Sequence, residues 1–78
     1  MKTIEQEIEE LTAHLRANPT DADALYRRGT LCWRLDRRAA ALSDLHAAAK
    51  LAPDGPAPAA LSHLNFFIDL LNTEIYNP

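Results

Sequence analysis

ALYRRGTLCW, residues 24–33, is an apolar run that carries a glycine in its interior and two adjacent arginines. An interior glycine costs a helix about 1 kcal/mol relative to alanine, and a core face does not favour arginine. The stretch therefore demands a reason for Gly29 and a use for Arg27 and Arg28.

Working outward, Asn18-Pro19-Thr20-Asp21 breaks the chain and supplies capping residues, so the helix holding this run is predicted from about Ala22 to Leu35. Before the break, Ile4, Ile8, Leu11 and Leu15 recur at helical spacing on one stripe, and Thr3 with Gln6 has the spacing of a capping box. Glu5, Glu7, Glu9 and Glu10 fall on the flanks and outside of that stripe. Beyond the run, Asp36 and the arginines after it form a short turn, and Ala39 to Leu51 reads as a third helix. Its Ala41, Leu45, Ala48 and Ala52 make a stripe of mostly small side chains that lets helix axes approach closely. Pro53-Asp54-Gly55-Pro56-Ala57-Pro58 admits no helix across it, and a fourth helix follows from about Pro58 to Tyr76. No segment alternates apolar and polar at period two, so the fold class is all-α, with four antiparallel helices and short connections.

With 78 residues and 47% hydrophobic content, the chain reads as one small soluble domain. Such a domain buries only roughly 60% of its unfolded surface, which makes self-association a natural supplement. The N-terminus is charged within its first residues and lacks an apolar h-region, and no apolar run approaches the ~18 residues of a membrane span. The single Cys32 rules out an internal disulfide and suits a reducing compartment, so a cytoplasmic location is the default expectation. The net charge of -3 hides an asymmetry: residues 27–38 carry a local +4, which leaves -7 for the rest.

Pro19 and Pro53 stand 34 residues apart, and Ile8 with Leu42, Leu11 with Leu45, Ala13 with Ala47 and Arg16 with Lys50 align at that offset. Leu25, Gly29, Ala41, Leu45, Ala48 and Pro53 match the spacings of the tetratricopeptide repeat (TPR), whose period is 34 residues. Residues 22–55 resemble one complete repeat, 3–19 the second helix of a preceding one, and 58–76 a divergent capping helix. The resemblance implies a fragment of a right-handed α-α superhelix in which Gly29 lies where the two helices of a repeat cross. The chain departs from the pattern at Arg28, where leucine is usual, and at Cys32, where an aromatic is usual. In the last helix, Leu61, Leu64 and Ile68 mirror Leu25, Arg28 and Cys32 once two residues are inserted in the linker.

No catalytic constellation is visible. His14, His46 and His63 form no ligand pattern, and no CxxC, phosphate loop or serine elbow occurs, so neither an enzyme nor a metal or other cofactor is expected. Cys32, on the Leu25 and Gly29 side of its helix, reads as a small buried hydrophobe, with an accessible thiol as the alternative. Tyr26, Thr30 and Trp33 fall at i, i+4 and i+7 on the side away from Gly29, with Arg27 and Arg34 beside them. The resemblance implies that this side lines a concave groove for a partner protein or peptide. The expected function is then a non-enzymatic interaction module with Tyr26, Arg27, Thr30, Trp33 and Arg34 as its binding residues. In a plainer alternative, Tyr26 and Trp33 pack on neighbouring helices and the arginines pair with the glutamates of the first helix. Phe66 and Leu70 lie opposite the main apolar arc of the last helix and are the candidates for self-association, with intramolecular packing of a rotated helix or a different partner as the alternatives, so a structural homodimer without an open groove is the runner-up. The acidic balance argues against nucleic acid as a partner.

Overall fold

The computed structural model describes residues 1–64. They form α1 (Ile4–Ala17), α2 (Ala22–Arg34), α3 (Arg38–Leu51) and α4 (57–64), with no strand among the described residues. Phe66 and Leu70, the expected self-association pair, lie outside the described residues. Among the described residues, no helix is long and apolar enough to cross a membrane.

Local chemistry sets the helix ends. The Thr3 hydroxyl accepts from the Gln6 N–H at 3.1 Å while the Gln6 side chain accepts from the Thr3 N–H at 2.9 Å, completing the capping box of α1. Asp21 caps α2 by accepting from the Ala24 N–H at 3.2 Å. α2 closes through Asp36, which takes a left-handed backbone with φ 61. Its N–H donates to the Trp33 carbonyl at 3.0 Å and the Arg37 N–H to the Cys32 carbonyl at 2.9 Å, the two-bond closure that usually employs glycine. This tight reversal lets α3 start at Arg38, one residue before the sequence expectation. α4 likewise starts one residue early, at 57, with Pro58 in its first turn.

Among the described residues, most of the buried apolar side chains fall into two clusters, with the fully buried Leu45 outside both. Ile8, Cys32 and Ala41 gather in one, while Leu15, Ala24, Leu25, Ala48 and Ala57 gather in the other. Early residues of α1 thus meet late residues of α2, and late residues of α2 meet early residues of α3, which makes both neighbouring pairs antiparallel. Leu61 of α4 is also buried, as is its counterpart Leu25.

The helix crossing expected at Gly29 is present. A Cβ there would stand 2.9 Å from Leu45 Cγ and 3.2 Å from the Ala41 carbonyl oxygen, and Leu45, 0% exposed, has nowhere to retreat. Ala41 and Ala48 complete the small stripe, at 0% and 1% exposed. Helix propensity alone would let Gly29→Ala stabilise the protein by about 1 kcal/mol. We expect the reverse, a loss of about 1–3 kcal/mol from overpacking against Leu45, read as a lower urea midpoint. An unchanged or raised midpoint would show that the two helices do not meet at this residue.

Candidate functional site

Arg28, out of place on an apolar helix face, has a dedicated partner. Its Nε donates to one carboxylate oxygen of Asp44 and its Nη2 to the other, both at 2.7 Å. Nη1 donates to the Thr12 hydroxyl at 3.3 Å, and that hydroxyl donates to the Ile8 carbonyl at 2.7 Å. One guanidinium therefore ties α1, α2 and α3 together. The Asp44 carboxylate holds the Arg28 guanidinium above its already high ordinary pKa, and Asp44 is itself 6% exposed. Cys32 lies in the same region, where burial first and the Asp44 charge second push its thiol pKa up. It stays protonated, a weak nucleophile.

Between α1 and α2 opens a cleft of about 620 Å³. α1 contributes Glu7, Glu10, Leu11 and His14 to it, and α2 contributes Ala24, Arg27, Thr30 and Leu31. Ala24 and the partly buried Leu11 and Leu31 supply its apolar surface. Around it Lys2 Nζ pairs with Glu10 at 2.7 Å and Arg27 Nε with Asp23 at 3.0 Å, and His14 Nε2 hydrogen-bonds Asp21 at 2.7 Å. Carboxylates outnumber cations here, with Glu7, Glu10, Asp21 and Asp23 against Lys2 and Arg27.

The five residues expected to share one binding face are distributed over four surroundings. Arg27 and Thr30 line the cleft, where the Thr30 hydroxyl donates to the Arg27 carbonyl at 2.9 Å. Tyr26 is half-buried against the Leu15, Leu25, Ala48 and Ala57 cluster and faces the start of α4. Trp33 is half-buried against the Ile8, Cys32 and Ala41 cluster, with the Arg38 guanidinium 5.9 Å over its ring. Arg34 is exposed, with no ion pair among the described residues. The paired arginines use aspartates rather than the glutamates of α1: Arg27 with Asp23, Arg28 with Asp44, and Arg38 with Asp36. Sequence reasoning missed Asp44 and the four α1 residues of the cleft. The 34-residue offset, which carries Leu45 onto Leu11, also carries Asp44 onto Glu10, and was the signal that could have found them.

Among the described residues, no three His, Cys, Asp or Glu side chains gather to hold a metal ion. What the cleft offers is shape, an apolar floor and an acidic rim. No protein-family model matches the chain, and neither a curated protein nor a solved structure matches it.

Two predictions follow from these contacts. Arg28→Leu, which installs the residue usual in the resembling family, strands a buried carboxylate and should cost about 3 kcal/mol, while adding Asp44→Ala should restore most of the loss. Additive losses in urea unfolding would contradict the coupling. The second concerns Asp21, whose carboxyl is held below its ordinary range by the hydrogen bond from His14, then by the Ala24 N–H. A depressed folded pKa contributes stability that is complete above about pH 4 and is lost as pH falls through the folded value. Asp21→Asn retains a capping side chain but not the charge, so its urea midpoint should fall less steeply between about pH 5 and pH 2; acid limbs of equal slope would contradict this assignment.

Proposed function

We propose that this protein is a non-enzymatic, TPR-like interaction module that holds a segment of a partner protein on the side of α2 bearing Arg27 and Thr30. The observation that carries this reading is the open cleft itself, with an apolar floor between α1 and α2 and charged side chains along its rim. The close crossing at Gly29 and the buried Ala41, Leu45 and Ala48 stripe support the repeat-like architecture. Recognition proceeds by complementarity: the floor excludes water from an apolar side chain, and the rim fixes orientation and partner charge. A reducing compartment such as the cytoplasm suits the single thiol.

A photoreactive residue placed in turn at Thr30, Arg34 and Ala40 tests this reading, since Ala40 is exposed on α3, away from the proposed face. A defined partner protein should be captured from Thr30 or Arg34 and not from Ala40, and Arg27→Glu should abolish that capture while helicity is retained. Equal capture from all three positions would contradict the proposal.

A further inference from the structure

α3 is buried through Ala41, Asp44, Leu45 and Ala48, and Gly29 of α2 sits directly against Leu45 and Ala41. Shifted back by the 34 residues that separate Pro53 from Pro19, these four positions become Glu7, Glu10, Leu11 and His14 of α1. All four line the cleft. Among the described residues, none covers the face of α1 that corresponds to the seat of α2 on α3. A body that fills it has the form of a helix lying on α1 as α2 lies on α3.

The charges specify what that helix carries. In the filled seat Asp44 takes the guanidinium of Arg28. Its counterpart Glu10 is held instead by Lys2, in an ion pair whose two side chains are 60% and 58% exposed. An exposed pair of this kind contributes little and gives way readily to a better-placed cation. Glu7 and His14 stand where α3 has alanines, which keeps an incoming helix further from α1 and favours long side chains reaching across.

We infer that the cleft takes an amphipathic helix of a partner protein, with an arginine or lysine set against Glu7 and Glu10 and an apolar residue about one turn away over Leu11 and Leu31. This rests on the interaction-module reading above and assigns the class of partner. The incoming cation displaces Lys2 from Glu10, so Lys2 acts as an internal competitor for the site.

The test uses the full chain and two synthetic helical peptides of the same leucine pattern, one with arginines and one with glutamates on the leucine face. The arginine peptide should shift the amide NMR signals of Leu11, Thr30 and Leu31 to saturation and bind at least about tenfold more tightly than the glutamate peptide. Lys2→Ala, at an exposed position outside every helix, should tighten that binding, and Glu7→Lys with Glu10→Lys should reverse the preference. Absent shifts at the cleft, equal binding of both peptides, or no response to Lys2→Ala would each overturn the inference. Cleft signals that move with the concentration of the free chain would make a second copy the occupant and overturn it as well. If the peptides fail while a partner is still captured from Arg34, this inference falls and the interaction reading stands.

Discussion

A single guanidinium, that of Arg28, is the point at which α1, α2 and α3 are joined. Two of its nitrogens are engaged by Asp44 of α3 and a third by Thr12 of α1, whose hydroxyl in turn bonds its own helix backbone. Each member depends on the others. A carboxylate as buried as Asp44 is costly to desolvate without a matched cation, and the planar fork of arginine meets both its oxygens in one orientation. The arrangement leaves no buried side-chain nitrogen or oxygen unpartnered among the described residues. A leucine in place of Arg28 would supply apolar area but would not bond to either neighbouring helix.

That network is possible because of the residue beside it. Gly29 lets α2 approach α3 until Leu45 Cγ stands 2.9 Å from where a β-carbon would be, and Asp44, next to Leu45, comes within reach of Arg28. Steric and electrostatic contacts thus use adjacent residues on both helices. On α1 the corresponding pair, Glu10 and Leu11, lines the cleft, with Glu10 held by a lysine from outside the helix and Leu11 half-buried. On α3 the contact is complete, and on α1 the same face lines a cleft that no described residue fills.

Much of this architecture was legible in the sequence because its determinants are local. The capping box at Thr3, the break at Pro19, the small stripe of α3 and the proline-rich end at Pro53 each act within a few residues, and the elements lie within a residue or so of where they were expected. The role of Gly29 was legible through the 34-residue spacing. The partner of Arg28 was not, because Asp44 lies 16 residues away and their meeting depends on which helix faces touch. The candidate site was legible only in part. Tyr26, Thr30 and Trp33 do share an angular sector, but seven residues of helix extend about 10 Å, so their ends meet different neighbours. Tyr26 reaches the start of α4, Trp33 packs against the Ile8, Cys32 and Ala41 cluster beneath Arg38, and Thr30 with Arg27 remains on the cleft. Aspartates a few residues away took two of the arginines before the glutamates of α1 could.

The most direct test of this organisation is the guanidinium NMR spectrum of the protein labelled with ¹⁵N at arginine. An Arg28 fork locked on Asp44 and Thr12 gives a slowly exchanging Nε–H and separately resolved Nη signals, and Asp44→Asn removes that distinction. Arg28 signals averaged and exchanging like those of the exposed Arg34 and Arg37 would contradict the claim that one buried pair holds the three helices together.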